Sequence, residues 1–137
     1  MMRIMSNNFN FGNSTKVTQN GGIRVTEEFN DNHVKVMHRE YDTKNDRFIR
    51  QDKFDDSGEV IENWWFEYSK NKKVEHFESK KSESYIRTFI DKIVDGLQVR
   101  TEEFVSKTKP ENNYLYEITR NFDGKMKSFI CNGKKVF

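Results

Sequence analysis

The chain contains no alanine and only two leucines, Leu97 and Leu115, among its 137 residues. These two residue types are the best apolar helix formers, and their scarcity argues against a largely helical fold. The AT-rich codons of Lys, Asn, Ile and Phe explain part of the composition and indicate an AT-rich coding genome. Leucine has AT-rich codons too, so its near absence beside 12 Phe, 5 Tyr and 2 Trp predicts a mainly β fold.

Cysteine and long apolar runs are also scarce. The single cysteine, Cys131, excludes an intrachain disulfide, which favours a reducing cytoplasm over secretion. The opening segment is too short in apolar residues for a signal peptide, and no run approaches the roughly 20 residues of a membrane span. With 24 basic and 22 acidic side chains the net charge is +2, so no polyanion is required as a partner. We expect a cytoplasmic protein that does not bind membranes.

The sequence also lacks the motifs that carry common chemistries. No GxGxxG or GxxxxGK[ST] loop is present, which argues against nucleotide hydrolysis. The three histidines lack metal-ligand spacing, and Cys131 has no neighbouring Cys or His. The acidic pairs Glu27-Glu28 and Glu102-Glu103 would point to opposite faces of a strand, so neither forms a carboxylate dyad alone. We therefore expect no catalytic residue, no metal and no cofactor, and a protein that is not an enzyme.

Short segments of alternating apolar and polar residues, separated by polar turns, fill most of the chain. Strands are predicted at 23–29, 34–41, 47–54, 59–68, 74–79, 97–105 and 114–122, followed by two hairpin strands. Asp123-Gly124 and Asn132-Gly133 are strong hairpin signals, so the last three strands should form a meander. Residues 1–22 are expected to be a polar leader, partly irregular, within one domain spanning 1–137.

Residues 82–95 depart from this alternation. Their apolar side chains recur at i, i+1, i+4, i+5, i+8 and i+9, namely Tyr85, Ile86, Phe89, Ile90, Ile93 and Val94. On a helix these positions form one stripe, with serines available as N-caps and Gly96 as a C-cap, although the β-branched content favours a strand. We predict an antiparallel β-meander sheet or partly closed barrel of about 8–9 strands, with one α-helix at about 82–95 packed on it.

Four predicted strand exits carry an aromatic residue followed by Asp or Ser. They are Tyr41-Asp42, Phe54-Asp55, Tyr68-Ser69 and Phe122-Asp123. This pattern resembles the strand-turn units of YD-type and similar β-meander repeats, some of which occur in bacterial toxin and antitoxin proteins. It covers about a third of the chain at irregular spacing, and we assign no family on it.

Trp64 and Trp65 are the first candidates for a binding surface. On a regular strand they face opposite sides, and one helix has little material to cover both faces of a sheet. Trp65 with Ile61 is therefore the predicted exposed or partner-covered patch, and Trp64 is predicted to be core. The alternative is that the helix covers Trp65 and the core is two-sided.

A second candidate surface combines an aromatic ring with positive charge. Phe48, Arg50 and Lys53 interleave these properties on one predicted strand, as single-stranded nucleic acids require. The acidic residues between Asp52 and Glu62 would repel phosphate, and no RNA-binding signature is present. Nucleic-acid binding is therefore an alternative and not the favoured function.

Exclusion and composition together favour a non-catalytic binding module. We expect it to inhibit or mask another macromolecule, as immunity proteins, antitoxins and phage anti-defence proteins do. The expected partner is a protein, and a homo-oligomer is an alternative. The other functional alternatives are a single-stranded nucleic-acid-binding β-protein and a small β-barrel carrier of an apolar ligand.

Overall fold

The structure, a computed structural model, describes residues 2–10 and 13–136. Twelve strands lie within these residues: β1 (Met2–Asn10), β2 (Asn13–Asn20), β3 (Ile23–Phe29), β4 (Lys35–Asp42), β5 (Arg47–Phe54), β6 (Val60–Ser69), β7 (Lys72–Ser79), β8 (Tyr85–Val94), β9 (Leu97–Ser106), β10 (Tyr114–Arg120), β11 (Met126–Cys131) and β12 (Lys134–Lys135). A 3₁₀ turn at Pro110–Asn112 is the one helical segment in this part of the chain. No helix described here is long and apolar enough to cross a membrane.

The strands form an antiparallel meander in chain order from β1 to β12. The predicted meander is confirmed. Because the order begins at β1 and ends at β12, the sheet is not closed within residues 2–10 and 13–136, so the partly closed barrel is not formed there. The expected 8–9 strands were too few, since β1 and β2 occupy the segment predicted as a polar leader.

The helix predicted at 82–95 is wrong, because β8 occupies this segment. On a strand, the same apolar spacing gives each face three large side chains, with Tyr85 and Phe89 on one face and Ile86 and Ile90 on the other. Gly96 is not a helix C-cap. Asp95 and Gly96 both have positive φ, 51° and 76°, as the two-residue turn between β8 and β9 requires.

The chain divides into two compact units, Met1–Phe66 with Phe77–Ser82 and Glu67–His76 with Glu83–Phe137. In the first unit, β2 to β6 pair in sequence, with register shifts between β3 and β4, β4 and β5, and β5 and β6. In the second unit, β8 to β12 pair in sequence, and the ten residues of β8 match β9 without a shift. The expectation of one domain stays a prediction.

Few side chains are fully buried in either unit. Among residues 13–136, Val99 is the only buried hydrophobic residue, at 7% exposed. The buried polar residues are Thr18, Gln51, Asp52, Glu75 and Ser106. Most aromatic side chains are half-buried, so cross-strand pairs on the two sheet faces provide the packing within each unit.

Candidate protein-binding face

The structure places the sequence-predicted binding residues on two different faces of the first unit. Arg50 lies opposite Trp65 in the β5–β6 register, whereas Phe48 and Lys53 lie on the other face. A β-bulge at Ile49 causes this separation. Arg50 pairs with Glu40 and Phe48 pairs with the next residue, Tyr41, so Ile49 has no partner on β4 and Phe48 changes face relative to Arg50. Ile61 forms a second bulge, on β6. Lys53 pairs with Glu62 and Phe54 pairs with Val60, so Ile61 has no partner on β5. The predicted aromatic-and-basic strip therefore does not form one surface.

On the face that carries Phe48, three rings of the first unit pack together. Trp64 lies 4.7 Å from Phe48 and 5.6 Å from Phe66, measured between ring centroids. Phe48 and Phe66 meet edge to face at 5.5 Å. Trp64 thus belongs to a three-ring cluster with Phe48 and Phe66.

The opposite face of the first unit carries paired charges. A carboxylate oxygen of Glu27 lies 2.6 Å from Nζ of Lys35. The ring of His38 lies between two carboxylates, with Nδ1 at 3.1 Å from Glu27 and Nε2 at 2.8 Å from Glu40. Burial raises the pKa of Glu27, but the hydrogen bonds from Lys35 and His38 outweigh it and hold that pKa below its usual value. The described residues contain no group of three or more His, Cys, Asp or Glu side chains that could hold a metal ion.

A row of stacked rings crosses four strands of the second unit. The rings lie 4.2–5.2 Å apart between neighbouring centroids and are, in order, Tyr85, Phe104, Tyr114, Tyr116 and Phe129. The register places them on one face of the sheet together with Phe89. We call these six residues the aromatic face. Each ring thus contacts its neighbour in the row, and such contacts restrict the side-chain rotamers.

Cationic side chains lie over Phe89 within the aromatic face. Lys73 Nζ is 4.8 Å from the ring centroid, and the guanidinium carbons of Arg87 and Arg100 are 5.4 and 5.8 Å from it. These distances suit cation–π attraction. Arg87 is also 5.8 Å from the ring of Tyr85, so it covers two rings at once.

A buried carboxylate anchors Arg87 at this position. The side chain of Glu75 is 3% exposed, and its Oε1 lies 2.6 Å from Nη2 of Arg87 and 2.7 Å from Nε. The hydroxyl of Tyr85 donates to the other oxygen of Glu75 at 3.3 Å. Burial, followed by the charge of Glu75, raises the pKa of Tyr85 to about 12. The phenol therefore stays a hydrogen-bond donor to a higher pH than an ordinary tyrosine does.

Two further acidic residues on this face are paired. The hydroxyl of Tyr114 donates to Glu102, and burial together with this hydrogen bond raises the pKa of Tyr114. Asp91 accepts from Nε of Arg100 at 2.7 Å and from Nη2 at 3.0 Å, a bidentate pair that lowers the pKa of Asp91. The negative charges on the aromatic face are thus each held by a neighbour.

A cavity of about 690 Å³ adjoins the aromatic face in the second unit. It is lined by Asn71, Asp91, Lys92, Ile93, Gln98, Val99, Arg100, Ile118 and Arg120. Arg100 forms an ion pair with Asp91, whereas Arg120 forms no ion pair within residues 13–136. By register the side chain of Lys92 projects from the opposite face, so the charged side chains on the cavity's side are Arg100 and Arg120 against Asp91. The cavity therefore favours an anionic group.

The aromatic face was not predicted as a site, although part of its signal is in the sequence. Tyr114 and Tyr116 share a face on any regular strand, as the alternation predicted. Their stacking on Phe104 and Phe129 depends on the register of three strands, which no single segment reveals. The sequence also gave no indication that Glu75 is buried, because its burial results from contacts with Arg87 and Tyr85 on another strand.

Tyr85 should ionise at a pH about two units higher than an ordinary tyrosine does. In a stopped-flow pH jump, we expect its phenolate absorbance to develop near pH 12, against a usual value of 10. Because its pKa is higher in the folded than in the unfolded chain, this phenol contributes stability below pH 10 that is lost as the pH rises from 10 to about 12. Tyr85→Phe should remove the late phenolate step. If that variant instead loses a phenol that ionises near pH 10, the burial of Tyr85 against Glu75 is wrong.

Comparisons of this chain with protein-family models, with curated proteins and with solved structures give no match.

Proposed function

We propose that the chain is a non-catalytic binding module that masks a protein partner through the aromatic face of its second unit. The observation that carries the proposal is the row of contacting rings, three of its four pairs stacked, beside an arginine-lined cavity. Masking of another macromolecule is the activity of immunity proteins, antitoxins and phage anti-defence proteins, and this class remains our proposal.

The residue types on the aromatic face are those that dominate protein interfaces. Tyr, Phe and Arg are enriched in interface centres, and large rings with few rotatable bonds lose little entropy on binding. The half-buried rings of Tyr114 and Tyr116 are already fixed at 4.2 Å from each other. A partner would therefore meet a surface that needs little ordering.

The cavity indicates the charge of the group that the partner inserts. Its excess of positive charge comes from Arg120, which is exposed, whereas Arg100 is neutralised by Asp91. An Asp or Glu side chain of the partner would pair with Arg120 next to the rings. We propose a partner with an acidic anchor residue within an apolar patch.

The alternatives are supported less well. The rings of the aromatic face stack on one another, and Glu75, Asp91 and Glu102 lie among them, which suits neither base stacking nor phosphate. An apolar-ligand carrier of the kind considered above needs a closed barrel, and the sheet is not closed within the described residues. Both alternatives stay testable.

Charge reversal at the cavity tests the proposal. Affinity purification from native host lysate, with purified components used to measure Kd, should show at least about tenfold weaker partner binding for Arg120→Glu and Tyr116→Ala. Lys44→Glu is the matched control, because Lys44 is an exposed cation in the first unit. Binding that survives both face variants would contradict the proposal. Tight, steeply salt-dependent binding to mixed-sequence RNA or DNA would replace it with the nucleic-acid function.

A further inference from the structure

The cavity beside the aromatic face lies over two neighbouring cross-strand rows of the second unit. Read from β8 to β10, one row is Ile93, Gln98 and Arg120, and the next is Asp91, Arg100 and Ile118. Directly paired residues of antiparallel strands share a face, so these six side chains lie on the same side as the aromatic face. The cavity volume of about 690 Å³ falls within the roughly 300–1,000 Å³ that is usual for small-molecule sites.

Three polar side chains of the cavity lining have no partner within the described part of the chain. Arg120, Gln98 and Asn71 form no side-chain hydrogen bond or ion pair among residues 13–136, and all three are exposed. Asn71 belongs to the turn between β6 and β7, and its carbonyl accepts a backbone hydrogen bond from β8 at 2.8 Å, which ties this turn to the cavity. Small-molecule sites combine such convergent polar groups with apolar surface, which Ile93 and Ile118 supply here.

The charges on the cavity's side match a ligand with one negative charge. Arg100 donates to both oxygens of Asp91, so this pair leaves no net charge, and Arg120 adds a single positive charge. A guanidinium binds one carboxylate through two parallel hydrogen bonds. A phosphate monoester carries about 1.5 to 2 negative charges at neutral pH, and the excess would face Asp91 without a counter-ion. The charge balance therefore favours a carboxylate over a phosphate.

We propose that this cavity binds a small-molecule carboxylate with an apolar or aromatic body. Arg120 pairs with the carboxylate, and the body packs on Ile118 and Ile93. The amide of Gln98, which lies between Ile93 and Arg120 in the register, hydrogen-bonds to a polar group of the same ligand. One Asp or Glu side chain of a protein partner would engage Arg120 alone, whereas a cavity of this volume accommodates a whole small molecule.

A matched set of three probes tests the site on the isolated full chain. In an NMR titration, 2-naphthoate should show saturable binding, with its largest shifts at residues 91–93, 98–100 and 118–120. The neutral 2-naphthamide should bind at least about tenfold more weakly, because it lacks the charge that Arg120 pairs with. The dianionic 2-naphthyl phosphate should bind no more tightly than 2-naphthoate. The inference is overturned if 2-naphthoate does not saturate, if it shifts residues elsewhere, or if either analogue binds more tightly.

Substitution of the unpaired arginine assigns the carboxylate to its partner. Arg120→Met should weaken 2-naphthoate binding at least about tenfold and leave 2-naphthamide binding within about twofold of wild type. Lys109→Met is the matched control and should change neither affinity, since Lys109 is an exposed cation of the same unit in the loop after β9, outside the cavity lining. Equal losses in Arg120→Met and Lys109→Met would mean that the general positive charge of the chain, and not the cavity, attracts the carboxylate.

The ligand site and the proposed function can fail separately. Tyr116 belongs to the aromatic face but not to the cavity lining, so Tyr116→Ala should weaken binding of the protein partner while 2-naphthoate binding stays unchanged. A chain that binds the partner but not 2-naphthoate overturns the ligand site alone, and the converse result overturns the proposed function alone. Because both use Arg120, saturating 2-naphthoate should weaken partner binding, an expectation that rests on the proposed function.

Discussion

Arg87→Met should destabilise the protein by about 3–5 kcal/mol, because it leaves a buried carboxylate without its counter-ion. The side chain of Glu75 is 3% exposed, so water cannot replace the two short contacts that Arg87 provides. The hydroxyl of Tyr85 still donates to Glu75 at 3.3 Å, a longer contact than either of those from Arg87. Urea unfolding at neutral pH measures this loss.

Removing the negative charge of Glu75 should lower the free energy of unfolding less than Arg87→Met does. In Glu75→Gln the amide can still accept from Arg87, whose side chain is 34% exposed and can be partly solvated, so about 1–2 kcal/mol is expected. The double variant Glu75→Leu with Arg87→Met should recover part of the loss of Arg87→Met, since neither charge is then buried.

The double variant distinguishes a buried charge from lost packing. If Glu75→Leu with Arg87→Met recovers none of the stability lost in Arg87→Met, the pair contributes packing alone.

The strands could be predicted from the sequence wherever one apolar face alternates with one polar face. Residues 23–29 and 47–54 match β3 and β5 to the residue, and the Asn132-Gly133 turn has the expected positive φ of 52° and 78°. The helix prediction failed because periodicity reasoning assumes one buried face. In β8 both faces carry large side chains, with Phe89 on one and Ile90 on the other, and this spacing imitates a helical stripe.

The polar leader could not be recognised as strands for a related reason. β2 contains one large apolar residue, Val17, and its place in the sheet is determined by pairing with β3 along seven residues. Similarly, the extra residue Ile49 reverses the face of Phe48 relative to Arg50, and no local signal in the chain marks that bulge. The sequence thus identified the residue types of a surface, but the face on which each side chain lies depends on the strand register.

Trp64→Ala should destabilise the first unit by about 2–4 kcal/mol, the range expected for truncating a large, partly buried ring. The loss arises from its contacts with Phe48 at 4.7 Å and Phe66 at 5.6 Å, which connect β5 and β6 on one face. Thermal unfolding followed by circular dichroism measures it. The alternation predicted a core role for Trp64 and an exposed or partner-covered role for Trp65; both tryptophans are half-buried, and both roles stay predictions.

A double-mutant cycle separates the two tryptophans by the face that each occupies. Phe48→Leu and Trp64→Ala should couple by about 0.5–1.5 kcal/mol, because each removes a ring that the other contacts. Phe48→Leu and Trp65→Ala should instead add within about 0.5 kcal/mol, because Trp65 lies opposite Arg50 on the other face of the sheet. Stronger coupling of Phe48 to Trp65 than to Trp64 would mean that the β4–β5 register, and with it the bulge at Ile49, is not the one described.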